Sequence, residues 1–200
     1  MKLYLIRHSE SEDDLIDAYG GAADWKLTEN GKETVLKFVK DHQDLDFDFI
    51  YSSPLSRAFD TAKIINQEKN VPIKTLFDLR EFNQYGVMSG CTKEKSKELF
   101  GYLFKMPEFE VMDYYSGKVF YGAETVEELD KRVRDAFSTI FKENCNTVLV
   151  VTHTGVFRSL LKNVVKDSRK VKKIADCGLL VLEYENNELN LIDSEGVVIE

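Results

Sequence analysis

Two of the three histidines in this chain follow directly on apolar runs: Leu3-Tyr4-Leu5-Ile6 leads through Arg7 to His8, and Val148-Leu149-Val150-Val151-Thr152 leads to His153. Uninterrupted apolar runs of this kind read as strands covered on both faces. In open α/β sheets, ligands bind in the crevice beyond the carboxyl ends of such strands. A further strand over 47–52 runs through Ser52-Ser53-Pro54-Leu55-Ser56 into Arg57. If these strands are neighbours, two imidazoles and two guanidiniums converge on one crevice. A planar guanidinium makes paired, charge-assisted hydrogen bonds to a tetrahedral oxyanion. A neutral imidazole can attack phosphorus, whereas a cationic one can only donate hydrogen bonds. One histidine as nucleophile and the other as donor suits phosphoryl transfer, in which catalysis is mainly positioning and charge stabilisation. A metal site is the rival use of paired histidines. The adjoining arginines would repel a cation, and no His-x-His or His-x-x-x-His spacing exists.

These side chains need a scaffold, and the pattern supplies an α/β one. Residues 9–27, with Glu10, Glu12, Asp13 and Asp14 and then Gly20-Gly21, read as a loop with a short helical turn. Thr28 is a candidate N-cap for a helix over 29–41, and His42 follows in a polar stretch where it is expected to be solvated. Helical character returns over 57–67 and a short strand over 73–77, which leads to Arg80 and Glu81. The spacing of Val126, Leu129, Val133, Phe137 and Ile140 predicts a helix over 125–142, and Gly155 opens another through 165. The basic run 166–173 reads as a solvated loop or helix face. Strands over 179–184 and 189–192 around Asn186-Asn187 predict a terminal hairpin. Alternating strands and helices predict a three-layer αβα sandwich with a mainly parallel sheet.

Residues 83–123 interrupt this alternation. They carry five glycines, Pro107 and nine aromatic residues, including Tyr85, Phe109, Tyr114 and Phe120. They read as an insertion, helical near 92–104, folded over the carboxyl end of the sheet of a single domain spanning 1–200. Its aromatics and methionines serve either as its own small core or as an apolar contact to a ligand.

Composition narrows the class. With 43% hydrophobic and 31% charged residues in 200, the chain is that of a globular domain, and it holds no apolar window of membrane-spanning length. A net charge of −8 disfavours nucleic acid or an anionic membrane as the main partner, although a few arginines can still form a pocket for a small anion. Cys91, Cys145 and Cys177 are odd in number and widely spaced, which argues against a disulfide framework and a thiolate metal site. The apolar run after Met1-Lys2 is too short for a signal peptide, so a cytoplasmic setting is expected.

Taken together, Leu5-Ile6-Arg7-His8, Leu27-Thr28-Glu29-Asn30-Gly31, Ser52-Ser53-Pro54-Leu55-Ser56-Arg57-Ala58 with Thr61-Ala62, Leu79 with Glu81, Gly122 with Glu124-Thr125, and Val151-Thr152-His153-Thr154-Gly155-Val156 with Arg158 occur in order. This ordered set resembles the histidine phosphatase superfamily, the phosphoglycerate mutase-like proteins, in the branch that holds small phosphatases and cofactor-dependent mutases. The resemblance implies that His8 is a nucleophile forming a phosphohistidine. It implies that Arg7, Arg57 and His153 hold the phosphoryl group, with Ser9 and Thr154 beside it, and that Glu81 protonates the leaving oxygen and then activates water. No metal or organic cofactor is implied. The implied activity is hydrolysis of a small phosphorylated metabolite, with phosphoglycerate mutase-type transfer or an inactive phospho-ligand-binding relative as the alternatives. Three departures stand out. Ser9 replaces the family's usual glycine, Asp14 stands where an asparagine usually touches phosphate, and Glu81 lies five residues before Gly86 where four is commoner. The Ser9 hydroxyl is expected next to the nucleophile.

Overall fold

In the computed structural model, residues 1–106 and 112–200 are described; Pro107 and Phe109 of the inserted segment lie outside them. Six strands form one sheet. These are β1 (Lys2–Arg7), β2 (Phe49–Ser52), β3 (Ile73–Thr75), β4 (Thr147–Thr152), β5 (Val171–Glu185) and β6 (Glu188–Ile199), in the order β3-β2-β4-β1-β5-β6. The first four of that order run parallel, while β5 is antiparallel to β1 and β6 to β5. The sheet is therefore mixed, its parallel part carrying the two apolar strands at its centre.

Successive side chains of a strand point to opposite faces, and here that alternation builds two cores. Leu3, Leu5, Val148, Val150, Leu180 and Leu182 pack on one side with α5 (Val126–Ile140) and α6 (Thr154–Asn163). Tyr4, Ile6, Leu149, Val151 and Leu179 face the other side, against α2 (Glu29–Asp41) and α3 (Ser56–Ile65). The loop after β1 contains α1 (Glu12–Leu15), and residues 83–123 contain α4 (Lys93–Phe100). Thr28 caps α2 by accepting the Gly31 amide at 2.8 Å.

Two readings are corrected, and a third, left open between two alternatives, is resolved. The hairpin is much longer than expected, because β5 begins at Val171 inside the basic run. Register shifts between Val171 and Lys173 and between Ile174 and Leu179 break the two-residue alternation that would have revealed it. Its turn is the expected Asn186-Asn187, both at positive φ. His42 is half-buried, stacked on Phe38 and bonded to the Phe38 carbonyl and to Glu195 at 3.0 Å each. Within the inserted segment, Met88, Tyr114 and Phe120 are buried as core, and among its described residues only Gln84 and Tyr85 reach the pocket described below.

Candidate active site

The register of β1 on β4 pairs Arg7 with Thr152, so the residues that follow, His8 and His153, leave neighbouring parallel strands side by side. The His8 amide completes the ladder on the Thr152 carbonyl at 3.1 Å, and the two rings meet edge to face with centroids 4.8 Å apart. A pocket of about 290 Å³ opens in front of His8, lined also by Arg7, Arg57, Arg158, Asp13, Asp14 and Glu81.

The partners of His8 fix its chemistry. Nδ1 lies 2.7 Å from the Ser9 carbonyl, which can only accept, so Nδ1 carries the proton. Nε2 receives the Arg57 Nε–H at 3.2 Å, and a guanidinium can only donate, so Nε2 holds the lone pair. Burial above all, then the positive charges of Arg57 and Arg7, hold the imidazole pKa well below its ordinary value. His8 is thus neutral, with the Nε2 lone pair directed at the Arg57 guanidinium.

Arg57 is 2% exposed on the first turn of α3 and is held rigidly. Besides His8, it donates to the Gly21 carbonyl at 3.1 Å and the Ala23 carbonyl at 2.8 Å. Three of its five N–H groups are so engaged, which leaves two for a ligand. Arg7 reaches the other way, to the Ile174 carbonyl and Asp176 at 3.0 Å each, where the irregular stretch of β5 crosses the strand end.

His153 is fully buried behind His8. Its Nε2 lies 2.8 Å from Ser53 Oγ, and its Nδ1 is buried with no hydrogen-bond partner. Burial first, then Arg57, His8 and Arg7, keep this ring neutral as well. Both histidines should regain an ordinary pKa on unfolding. The unfolded chain then takes up protons below about pH 6.5 that the folded chain refuses, so stability falls as pH drops below that point. The slope from each ring is at most about 1.4 kcal/mol per pH unit. Thermal melts between pH 7 and 5 should show this loss, and it should be shallower in His8→Ala.

Glu81 sits in the loop after β3. Its Oε1 accepts the Phe82 amide at 2.7 Å and the Gly155 amide at 2.8 Å, the latter in the first turn of α6. Gly155 is required by that approach: a Cβ there would lie 2.6 Å from Glu81 Oε1 and 2.5 Å from Phe82 Cβ. Gly155→Ala is expected to push Glu81 off its seat and lower kcat by about 10- to 100-fold with a smaller change in KM, read by steady-state kinetics.

The other expected residues divide. Thr154 lines the pocket as the first residue of α6, but Ser9 does not. Its side chain is fully buried beside Cys177, whose thiol burial pushes up to about 12. The contribution of Ser9 to the site is its backbone carbonyl, which orients His8, so the expected hydroxyl beside the nucleophile is not there. Asp14 turns to accept the Ser11 amide at 3.0 Å. The sequence reading missed Asp13 and Arg158 as lining residues. Arg158 was open to discovery, since it lies one helical turn past Thr154 on the same face of α6. Asp13 is one of four carboxylates in five residues, and nothing in its type marked it. Among the described residues, no three His, Cys, Asp or Glu side chains are grouped to hold a metal ion.

Comparison with known proteins shows the family and the fold. A model of the histidine phosphatase superfamily (branch 1) matches residues 3–194. Phosphoserine phosphatase 1 of Hydrogenobacter thermophilus is 33% identical over 163 residues, covering 80% of this chain and 74% of that protein. The 2,3-bisphosphoglycerate-dependent phosphoglycerate mutase of Buchnera aphidicola is 36% identical, but over 106 residues, 50% of this chain and 45% of the mutase. In fold, the chain is similar to a putative alpha-ribazole-5'-P phosphatase from Escherichia coli (TM-score 0.80, 18% identity), covering 98% of this chain and 96% of the other.

Proposed function

The chain belongs to the histidine phosphatase superfamily, and we propose that it hydrolyses small phosphomonoesters in the cytoplasm by passing the phosphoryl group through His8 to water. The observation that carries this reading is the His8 tautomer: a neutral ring, proton on Nδ1, lone pair on Nε2, facing a pocket with arginine at its back.

In the first step the Nε2 lone pair attacks phosphorus and the P–O ester bond breaks. The Arg57 Nε–H gives up Nε2, and the guanidinium turns its free donors on the equatorial oxygens. Arg7 adds charge from the β5 side, and the unpartnered His153 Nδ1 donates to a further oxygen, its Nε2 accepting the Ser53 hydroxyl hydrogen. Glu81 gives a proton to the leaving oxygen. In the second step Glu81 takes a proton from water, the water oxygen attacks phosphorus, and the N–P bond breaks to restore the His8 lone pair. Arg-rich donor sets of this kind act by electrostatic preorganisation.

Hydrolysis is favoured over mutase transfer by Asp13 and Asp14, both on the pocket wall, where a second phosphate would meet carboxylates. A pocket of about 290 Å³ suits a small metabolite and no macromolecule. Given the phosphoserine phosphatase among its relatives, a phosphorylated amino acid heads the compounds to test. The experiment is turnover of a panel of phosphorylated metabolites with and without chelator. Release of phosphate unaffected by chelator is expected, whereas activity appearing only with phosphoglycerate and its bisphosphate would favour the mutase reading.

A further inference from the structure

Arg132 on α5 is 9% exposed and does not line the pocket, yet every N–H of its guanidinium is committed. One terminal nitrogen donates to the carbonyls of Asp78 at 2.7 Å and Arg80 at 2.8 Å. The other donates to the Glu81 carbonyl at 3.1 Å and to Glu124 Oε2 at 2.8 Å, and Nε closes a fork on Glu124 Oε1. The one carbonyl of this loop that Arg132 skips, that of Leu79, accepts the Thr152 hydroxyl at 2.7 Å, from the residue just before His153. Glu124 also ties down the next stretch, its amide bonding to the Asn83 carbonyl at 3.2 Å.

Four successive carbonyls, from Asp78 to Glu81, at the end of a short 3-10 turn (Phe77–Leu79) and just beyond it, are thereby held by named side-chain donors. A buried carbonyl without a donor costs free energy comparable to a lost hydrogen bond, and a buried guanidinium needs partners at all its donors. Each answers the other here, in an arrangement that admits one path for the loop. That path brings the Glu81 carboxylate to the Gly155 amide at the rim of the pocket.

We propose that Arg132 is a positioning residue for Glu81: by gathering the carbonyls of Asp78, Arg80 and Glu81 onto one guanidinium it sets the carboxyl against the leaving oxygen of the substrate. The inference rests on the phosphatase reading above and adds a residue that never touches substrate. Its consequence is selective. An ester whose leaving group departs readily as an anion needs little protonation, whereas an alkyl ester needs the acid in place.

The test compares 4-nitrophenyl phosphate with glycerol phosphate on wild type, Glu81→Gln, Arg132→Lys and the double variant. Lysine keeps the charge but lacks the fork that spans three carbonyls. Glu81→Gln should lose about 100-fold or more in kcat/KM, which reports the steps through leaving-group departure, on the alkyl ester and far less on the nitrophenyl ester. Arg132→Lys should follow the same pattern, losing about 10-fold or more in kcat/KM on the alkyl ester and far less on the nitrophenyl ester. In the Glu81→Gln background it should cost nothing further, since both changes remove one function. Equal losses on the two esters, or additive losses in the double variant, would overturn the positioning role and leave the phosphatase reading standing. A wild type that turns over neither ester overturns both. Should Arg132→Lys fail to fold by thermal melt, Glu124→Gln, which loosens the same clamp with Arg132 in place, is held to the same pattern.

Discussion

Replacing His8 with alanine should lower phosphomonoester hydrolysis by about 10⁴-fold or more, with the fold retained. The size of the loss follows from the absence of a substitute. Among the groups lining the pocket, His8 alone offers a neutral nitrogen lone pair, since the three arginines can only donate and Glu81 is seated on two amides. His153 is near, but it is fully buried behind the His8 ring and anchored to Ser53, so it cannot reach phosphorus from the same direction. Stability should change little: the variant loses two hydrogen bonds, to the Ser9 carbonyl and from Arg57, and also loses a buried ring that resists protonation. Circular dichroism and a thermal melt at pH 7.5 separate this outcome from unfolding. A residual rate within about 10-fold of wild type would remove His8 from the mechanism.

The second large effect is expected at Arg57. Arg57→Lys keeps a positive charge but gives up the fork that binds His8, Gly21 and Ala23 together. A lysine ammonium is a compact point charge and cannot span the three acceptors while facing a phosphoryl group. Two buried carbonyls lose their donors, the 21–23 loop loosens, and the transition-state charge loses a paired donor. The expected loss is about 10³-fold in kcat/KM, the scale seen when a charge-stabilising donor is removed from phosphoryl or acyl transfer. Because the same guanidinium contacts the ground-state phosphoryl oxygens, KM should rise as well as kcat fall. Competitive inhibition by inorganic phosphate should weaken in parallel. A variant that binds phosphate as wild type does would place Arg57 outside the anion site.

Much of this was legible in the sequence because the chemistry sits where the strongest patterns are. Leu3–Ile6 and Val148–Val151 are too apolar for anything but central strands, and His8 and His153 are fixed to their ends by chain continuity. Thr28, with the periodic Val35 and Phe38 behind it, marks α2 for the same local reason. What escaped depends on contacts distant in sequence. The extra length of β5 is dictated by β6 and hidden by bulges that spoil its alternation. Ser9 sits next to the nucleophile in sequence and still turns its side chain away from the pocket, towards Cys177, because successive residues leaving a strand face opposite sides. Arg132 and Asp13 carry no local signal at all. Their roles exist only once α5 meets the Glu81 loop and the 9–27 loop folds over Arg57.

The central claim is that the phosphoryl group rests on His8. It is tested most directly by mixing enzyme with a ³²P-labelled phosphomonoester, quenching within a turnover in alkali, and mapping the label by peptide mass spectrometry. A label that survives alkali but not acid, located on the peptide carrying His8 and absent from His8→Ala, is the expected result. Phosphate release at full rate with no labelled protein at any quench time, or a label on another residue, would contradict it.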